Sequence, residues 1–426
     1  MTETLLVLLG DSVAGTLTRD GDRLTFRYEE QYQDRDRPTP LSVAMPPTVR
    51  EHPHGVVDPW LWGLLPENDQ VIARWARAYR VAPTAYGLLS SPVGLDCPGG
   101  VRFVRPGDLD SALAPEGEVR WLTEEGVGAR LADLRADTTA WLGNDFAGRF
   151  SLAGAQAKTA LLHEGGRWGL PSGPAATSHI LKPAITGFDD HDLNEHLCLR
   201  AAALVGLPAA RSRVITFGDE QAIVIERYDR YRTGSGALRR VHQEDTCQAL
   251  GVRPAHKYQS DGGPGPRDIA SLLRRVMPPR VADDAIWSFA DALVFNWVIA
   301  GTDAHAKNYS LLLNRDNVRF APLYDLASAL PYGRHETEMR LAMRLGSDYR
   351  LNVIPSVWLD LARDIGMPVE MLRDRAERLT LAIPQEFSAA AEEVAGATDS
   401  PLPARLVDAV AERARRCVSA FTPETT

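Results

Sequence analysis

The sequence contains little of what secreted, metal-clustered or membrane-spanning proteins require. Four of its 426 residues are cysteine, widely spaced and without a C-x-x-C pair, which argues against a disulfide framework and against a zinc site. No apolar run approaches the roughly 20 residues that cross a bilayer. The apolar run near the amino terminus is too short for a signal peptide and follows no basic residue. We therefore expect a cytoplasmic protein without a membrane partner.

Positive charge is also in short supply. Lysine and arginine together number 47 against 56 aspartates and glutamates, for a formal net charge of -9. This balance argues against a protein that grips nucleic acid through bulk charge. Two basic stretches, 272–280 and 412–416, are more simply interpreted as solvated helix faces, although a local contact with DNA stays open.

Alternating βαβ units are missing too, which argues against a doubly wound sheet. The first thirty residues alternate apolar and polar side chains around a turn at Asp20-Gly21, the pattern of a hairpin. The segment 59–81 is rich in tryptophan and has a helical period, and we interpret Trp60, Trp62 and Trp75 as core residues. Strand patterns fill the middle of the chain around one helix at 192–207.

From about residue 240 the pattern is mostly helical. We predict an α+β protein with an amino-terminal subdomain at 1–108, a β-rich nucleotide-binding lobe at 109–235 and a helical catalytic lobe at 236–426. A β-rich lobe followed by a helical one suggests a cleft between them, and clefts are where nucleotides bind.

The stretch "NWVIAGTDAHAKNYSLLL" (296–313) interrupts an apolar run with charged and amide side chains. Asp303 and Asn308 stand five positions apart, the spacing found in the catalytic loop of protein kinases. There the Asp orients the attacking hydroxyl and the Asn holds magnesium. Asp325, which we predict to end the second strand of the hairpin that follows, supplies another metal ligand. A capped loop between two helices remains the alternative.

Two further residues of this stretch have open roles. Lys307 either contacts the transferring phosphoryl group as a point charge or is a solvated lysine. His305 is either a hydrogen-bonded structural histidine, which is the commoner case near carboxylates, or a metal ligand.

A phosphate-binding segment is expected upstream. In "SLAGAQAKTALL" (151–162), small residues around Gly154 let backbone amides approach phosphate oxygens, although an ordinary hairpin turn would also need them. Lys182 in "HILKP" lies on a predicted strand and Glu195 on the next helix. A buried lysine needs a partner, so we predict the lysine–glutamate pair of kinases; the alternative is a strand lysine that faces solvent.

The order of these motifs is that of a protein kinase, and the chain resembles the HipA family of serine/threonine-kinase toxins from bacterial toxin–antitoxin pairs. The resemblance rests on "SLAGAQAKTALL", "HILKP", "NEHLCLRAAALVGL", "IERYDR", "QEDTCQALG", "KYQSDGGPG", "GTDAHAKNYSLL", "APLYDLASALPY" and "LAMRLG", with "LSVAMPP" and "LWGLLPEND" near the amino terminus. It implies a two-lobed protein-kinase-like fold. It departs from ordinary kinases because H-R-D, D-F-G and A-P-E are lacking.

The resemblance also implies the residues of the site and its cofactors, ATP and Mg²⁺. Asp303 would be the catalytic base, assisted by Lys307. Asn308 and Asp325 would bind the metal, and Ser151 would be autophosphorylated. The residues implied to bind ATP are Leu152, Ala153, Gly154, Ala155, Gln156, Ala157, Lys158, Lys182, Glu195, Glu226, Arg227, Tyr228, His305 and Tyr324.

Partners follow from the same resemblance. It implies a HipB-like helix-turn-helix antitoxin, operator DNA contacted mainly through that antitoxin, and a translation-related protein substrate such as an aminoacyl-tRNA synthetase. Two alternatives share these motifs: a kinase-like co-repressor that works through its antitoxin, and a kinase of small molecules.

Overall fold

The computed structural model describes residues 2–114, 116–185, 187–315, 317–333 and 336–421. The chain divides into two units, both discontinuous in sequence. The first consists of 1–185, 215–255 and 311–318, and the second of 186–214, 256–310 and 319–426. The boundaries predicted after residues 108 and 235 stay predictions.

The strands of the described residues form four sheets. In chain order the strands are β1 (Glu3–Leu9), β2 (Ser12–Asp20), β3 (Arg23–Tyr28), β4 (Glu51–His52), β5 (Val101–Val104), β6 (Val119–Leu122), β7 (Thr159–Glu164), β8 (Arg167–Pro171), β9 (His179–Pro183), β10 (Ser212–Phe217), β11 (Glu220–Glu226), β12 (Arg230–Arg232), β13 (Leu238–Arg240), β14 (His242–Asp245), β15 (Ser310–Asn314) and β16 (Asn317–Phe320). The sheet orders are β4-β3-β2-β1-β5, β10-β11-β9-β7-β8-β6, β12-β13 and β14-β15-β16.

The α-helices of the same residues are α1 (Glu30–Gln33), α2 (His54–Trp62), α3 (Asp69–Tyr79), α4 (Ala85–Leu89), α5 (Leu109–Ala112), α6 (Glu124–Ala136), α7 (His191–Leu204), α8 (Thr246–Ala249), α9 (Pro266–Val276), α10 (Pro279–Ile299), α11 (Ser356–Ile365), α12 (Val369–Glu393) and α13 (Leu402–Cys417). Short 3₁₀ segments lie at Pro92–Leu95, Pro106–Asp108, Pro254–His256, Gln259–Asp261, Ala306–Asn308, Leu330–Tyr332, Glu336–Glu338 and Val418–Phe421. Among the described helices, none has both the length and the apolar character needed to span a bilayer.

The amino-terminal part of the first unit is a meander closed by helices. The predicted hairpin is confirmed, since β2 and β3 pair antiparallel with Asp20 opposite Arg23. Trp60 and Trp75 are fully buried core residues, as predicted, whereas Trp62 is only partly buried and packs against the edge of that core. The helical prediction for 59–81 is wrong in its continuity, because α2 ends at Trp62 and α3 starts after Asn68. The Asn68 side chain accepts hydrogen bonds from two amides of α3 and so restarts the helix.

The six-stranded sheet carries the nucleotide-site candidates of the first unit. Its pairs β6–β8, β7–β8, β7–β9 and β9–β11 are antiparallel. Apolar residues of α6 pack on one face of this sheet, where Val127 and Leu131 meet Leu161 and Leu181. The packing fixes the strands from which the site residues project.

The second unit is built around α10. This helix is apolar on nearly all sides in its carboxyl-terminal half, and fourteen of its residues are buried, as expected for a helix at the centre of a bundle. Helices α9, α12 and α13 pack against it. Trp297 of α10 stacks edge-on against Trp358 of α11, with ring centroids 5.1 Å apart. The segment that follows α10 therefore starts from a rigid base.

The motif "QEDTCQALG" and the preceding His242 connect β14 and α8 to the amino-terminal part of the first unit. His242 Nε2 lies 2.9 Å from the Leu41 carbonyl oxygen, and the Gln248 side chain donates to the Trp60 carbonyl oxygen at 2.8 Å. The amide of Val43 donates to Glu244 Oε1 at 2.8 Å. These contacts give the motif a structural role.

Burial makes Glu244 a pH-dependent element of stability. The side chain is fully buried, which raises its pKa from the ordinary 4.5 to about 8, while hydrogen bonds from Ser42 and Val43 oppose the rise. The folded protein therefore binds more protons than the unfolded chain between those two pH values. Its free energy of unfolding should fall as the pH rises through this window.

Replacing Glu244 with glutamine should remove that slope. We expect Glu244→Gln to raise the free energy of unfolding by about 1–2 kcal/mol at pH 8 and to change it little at pH 4.5, because the amide carries no charge to bury. Urea midpoints at several pH values measure this. The half-exposed Glu51, changed to glutamine, is the control and should leave the slope intact. A variant with the wild-type slope would contradict the expectation.

Candidate active site

The first unit contains the predicted phosphate loop, which begins at the buried residue Ser151. Ser151 has no exposed surface. Its hydroxyl donates to the Leu64 carbonyl oxygen at 2.5 Å, and its amide donates to the Asp96 carbonyl oxygen at 2.9 Å. This buried position has no room for a phosphate group on the Ser151 hydroxyl. Phosphorylation therefore requires Ser151 to move out of it.

The loop from Leu152 to Lys158 is curled on itself. Lys158 Nζ donates to the Ala153 carbonyl oxygen at 2.8 Å and lies 5.0 Å from the centre of the Trp141 ring. Gly154 has φ +101°, and a Cβ there would stand 2.7 Å from Lys158 Nζ. The amide of Glu67 donates to the Gly154 carbonyl oxygen at 3.0 Å. Glycine is therefore favoured at 154 by its backbone angle, whereas the flexible end of the Lys158 side chain could move aside for a Cβ.

Lys182 lies on β9, as the sequence predicted. It is paired in register with Ile223 of β11, and its side chain is buried. Glu195 is also buried and lies on α7 of the second unit. The lysine–glutamate pair between them stays a prediction.

The residues predicted to contact adenine follow β11. Glu226 is the last residue of that strand, and the Tyr228 hydroxyl donates to Gln243. Arg227, by contrast, is fully buried and donates to Asp229 at 2.8 Å and to the Cys97 carbonyl oxygen at 3.0 Å. Its guanidinium is thus engaged in the protein interior. Its backbone is engaged as well, since the Arg227 amide donates to the Ser178 carbonyl oxygen at 2.9 Å and its carbonyl oxygen accepts from the Arg230 amide at 3.1 Å.

A charged cluster in the interior of the first unit surrounds Asp96; we call it the Asp96 cluster. It consists of Asp96, Arg227, Asp229, Arg230 and Arg240, with side chains at most 10% exposed. Asp96 Oδ1 lies 2.9 Å from Arg230 and 3.2 Å from Arg240. Burial alone would raise the pKa of the Asp96 carboxyl, but the three guanidiniums and the Thr177 hydroxyl hold it well below its usual range.

The second unit holds the loop that follows α10. A positive φ at Ala300 ends the helix, and the Gly301 amide donates to the Asn296 carbonyl oxygen at 2.7 Å. A Cβ at residue 301 would stand 2.1 Å from Asn296 Oδ1, so this turn requires glycine. In the loop that follows this turn, Asp303 is exposed and His305 is buried.

Asn308 closes this loop on Asp303. Its side-chain Nδ2 donates to the Asp303 carbonyl oxygen at 2.9 Å, and its amide donates to the His305 carbonyl oxygen at 2.9 Å. Since the nitrogen is used inside the loop, Oδ1 is the atom that Asn308 can offer to a cation. The five-residue spacing therefore produces a braced loop with an exposed carboxylate at its start.

Tyr324 and Asp325 are fixed relative to this loop. The Tyr324 hydroxyl donates to the Lys307 carbonyl oxygen at 2.5 Å and lies 2.7 Å from the Ser310 hydroxyl. Asp325 is exposed and has φ +57°, which is uncommon for a residue other than glycine. The prediction that Asp325 ends a strand is wrong: β16 ends at Phe320, and Leu323 instead exchanges backbone hydrogen bonds with Pro208 and Ala210.

An interaction that the sequence reasoning missed links α7 to the segment after Asp325; we call it the Asn194 clamp. The Asn194 side chain donates to the Ser328 carbonyl oxygen at 2.8 Å and accepts from the Ser328 amide at 3.0 Å. The Ser328 hydroxyl donates to the Ile299 carbonyl oxygen at 2.6 Å. All of these groups are buried. The only signal in the sequence was an asparagine, Asn194, on the apolar face of the predicted helix directly before Glu195.

Tyr258 was also missed as a residue of the site. It belongs to the motif "KYQSDGGPG", to which sequence reasoning assigned no chemistry. Its hydroxyl donates to Asp303 Oδ1 at 2.7 Å. In the second unit, hydrogen bonds link Asp303, His305 and Asn308 within one loop, and the Tyr324 hydroxyl joins that loop at the Lys307 carbonyl oxygen.

The sequence has relatives over nearly its whole length. Residues 150–391 match the HipA-like C-terminal domain and residues 5–104 the HipA N-terminal domain. The protein Y4mE of Sinorhizobium fredii, whose name assigns it provisionally to the kinases, is 35% identical over 410 residues, 95% of this chain and 96% of that protein. The serine/threonine-protein kinase toxin HipA of Shewanella oneidensis is 29% identical over 408 residues, 91% of this chain and 89% of that protein.

A solved structure is similar as well. It is the complex of HipA, HipB and operator DNA from the toxin–antitoxin system of Shewanella oneidensis MR-1, and it aligns with a TM-score of 0.81 and 25% identity. The alignment covers 98% of this chain and 96% of the other, and it confirms the predicted fold class. The chain therefore belongs to the HipA family and is a kinase with the two-lobed, α+β, protein-kinase-like fold of that family.

Proposed function

We propose that this kinase transfers the γ-phosphoryl group of ATP to serine or threonine hydroxyls of proteins, acting in the cytoplasm as the toxin of a toxin–antitoxin pair. The observation that carries the proposal is the braced loop from Asp303 to Asn308, with an exposed carboxylate at one end and a buried amide oxygen donor at the other. The four cysteines are buried free thiols, as expected in a reducing compartment.

The donor atoms of the second unit fit magnesium. Asn308 Oδ1 and the exposed carboxylate of Asp325 are hard oxygen ligands, which Mg²⁺ prefers. Among the described residues, no group of three or more His, Cys, Asp and Glu side chains could hold a metal by itself. That agrees with Mg²⁺, which is usually held by one or two protein oxygens and completed by phosphate oxygens and water.

We assign the reacting groups to the same loop. Asp303 accepts the hydrogen bond of the acceptor hydroxyl and orients it toward the phosphorus atom. Lys307 stabilises negative charge on the phosphoryl oxygens, and His305 braces the loop and lines the nucleotide site. When bound, Mg²⁺ would neutralise phosphate charge; the protein's own contribution is largely positioning and electrostatics, as in other phosphoryl transfers.

The first unit supplies the nucleotide contacts in this proposal. Lys182, held on β9 and assisted by Glu195, pairs with the α- and β-phosphates. The loop 152–158 covers the phosphates with its backbone amides, and backbone groups of Glu226, Arg227 and Tyr228 meet adenine. Tyr324 of the second unit completes the set of ATP-binding residues. The burial of Lys182 supports its role, because a buried ammonium group needs anionic partners.

Partners are proposed by analogy with the relatives. The similar Shewanella structure contains HipB and operator DNA, and we infer a helix-turn-helix antitoxin for this chain too. The net charge of -9 supports DNA contact mainly through that antitoxin. The substrate would be a protein of translation, such as an aminoacyl-tRNA synthetase.

Phosphosite mapping tests the proposal. Purified protein incubated with ATP and Mg²⁺ should gain phosphate on Ser151, and activity should then fall, because nearly two negative charges enter the base of the phosphate loop. Mass spectrometry and a time course of transfer to other proteins measure both effects. Ser151→Ala should lose that phosphate and stay active for longer.

The matched control is Ser91→Ala. Ser91 is also buried, and its hydroxyl donates to the Leu88 carbonyl oxygen at 2.6 Å. This variant should behave as the wild type does. Transfer to small hydroxyl compounds without phosphoserine on any protein would contradict the proposal, and so would the absence of transfer altogether.

A further inference from the structure

We propose that Tyr258 is the positioning residue of Asp303 in phosphoryl transfer, an inference that rests on the proposed function. The observation is the hydrogen bond from the Tyr258 hydroxyl to Asp303 Oδ1, 2.7 Å long, between residues 45 positions apart in the chain. Asp303 is exposed and Tyr258 half-buried. An exposed carboxylate with such a fixed donor is unlike an ordinary surface aspartate, whose rotamers interchange on the picosecond-to-nanosecond scale.

Tyr258 is itself held by the catalytic loop. Its ring meets the His305 ring edge-on, with centroids 5.1 Å apart and planes at 81°. The preceding carbonyl, that of Lys257, accepts a hydrogen bond from the Ala306 amide at 3.4 Å. Tyr258 therefore contacts the loop that carries Asp303 at two points and Lys257 contacts it at a third, so that movement of the phenol breaks contacts with the loop.

The chain on the other side of Tyr258 is also anchored. The Gln259 side chain accepts a hydrogen bond from the Arg344 amide at 2.9 Å. A Cβ at Gly265 would stand 2.2 Å from the Gln259 side chain, and one at Gly263 would stand 2.1 Å from the His256 carbonyl oxygen. The glycines of "KYQSDGGPG" thus let the loop fold tightly enough to present the phenol at a fixed place.

The consequence for chemistry is geometric. With Oδ1 engaged by the phenol, the plane of the Asp303 carboxylate is set, and the second oxygen is the one that meets the acceptor hydroxyl. A reacting group held in one orientation avoids the loss of rotational freedom at the moment of transfer. If the Tyr258 hydroxyl instead blocked the acceptor hydroxyl from Asp303, its removal would raise the rate of transfer. If it positions Asp303, its removal lowers that rate.

The test is the variant Tyr258→Phe in the full-length chain, which keeps the ring and its packing on His305. Autophosphorylation is followed under single-turnover conditions at a series of ATP concentrations. We expect the maximal rate constant to fall by about 10-fold, from the loss of orientation. The ATP concentration at half-maximal rate should stay within about 2-fold of the wild-type value, because Tyr258 is assigned no nucleotide contact. A role in folding alone would change the melting temperature instead.

A double-mutant cycle shows whether the effect passes through Asp303. In the Asp303→Asn background, Tyr258→Phe should cost less than about 2-fold, because residues that act as one unit are not additive. Tyr32→Phe is the matched control: the Tyr32 hydroxyl donates to the Thr39 carbonyl oxygen at 2.8 Å, and its loss should leave the rate unchanged.

The outcomes separate the two proposals. A wild-type protein without any transfer would overturn the proposed function. An active wild type with an unchanged or faster Tyr258→Phe variant would overturn the positioning role alone. Equal effects of Tyr258→Phe in the wild-type and Asp303→Asn backgrounds would also overturn it.

Discussion

Replacing Asp303 with asparagine should lower the rate constant of phosphoryl transfer by about 10²–10⁴-fold, the usual contribution of a general base. The amide has nearly the shape of the carboxylate and still accepts the hydrogen bond from Tyr258 through its oxygen. Asn308 donates to the backbone carbonyl of residue 303, so that contact is retained as well. What is lost is the negative charge that orients the acceptor hydroxyl. Rates at saturating ATP measure the loss, and binding of a fluorescent ATP analogue should be unchanged.

A second aspartate of the same unit provides the control. Asp283 is exposed on α10, and Asp283→Asn changes charge by the same amount without touching the loop. Its rate should match that of the wild type. Equal rates for Asp303→Asn and Asp283→Asn would show that Asp303 is not the catalytic base.

The second large predicted effect is a loss of stability when the Asp96 cluster is disrupted. Replacing Asp96 with alanine would leave Arg227, Arg230 and Arg240 in the interior against the single carboxylate of Asp229. Breaking a buried ion pair from one side typically costs about 3–5 kcal/mol, because the remaining charge keeps its desolvation penalty. That is a large fraction of the roughly 5–15 kcal/mol that stabilise an ordinary domain. Urea unfolding of the variant, followed by tryptophan fluorescence, measures the loss.

An exposed ion pair of the same unit is the comparison. Arg27 and Glu51 pair with about half of each side chain exposed, and Glu51→Ala should cost less than about 1 kcal/mol. The isosteric Asp96→Asn should fall between the two, since it retains acceptor and shape but not charge. A loss in Asp96→Ala as small as that in Glu51→Ala would mean that the arginines find other partners or water.

Local patterns were enough to predict that Lys182 lies on a strand and that Asp303 and Asn308 share a loop, because spacing and strand character are properties of short segments. Contacts between distant segments were not. The bond between Tyr258 and Asp303 spans 45 residues, and that between Arg227 and Asp96 spans 131. The pattern of strand, turn and strand predicts a second strand that ends at Asp325, whereas the observed strand ends at Phe320 and Leu323 bonds instead to Pro208 and Ala210. No pattern in one segment indicates such a partner in another.

The Asn194 clamp makes α7 and the segment carrying Asp325 one thermodynamic element. Because a single buried amide closes two hydrogen bonds on Ser328, neither part can shift without breaking them. A ligand that stabilises one position of Asp325 must therefore favour the matching position of α7, the helix that carries Glu195. By linkage, whatever fixes α7 tightens that ligand by the same factor. In the proposed site, metal binding at Asp325 and the position of α7 would therefore be coupled.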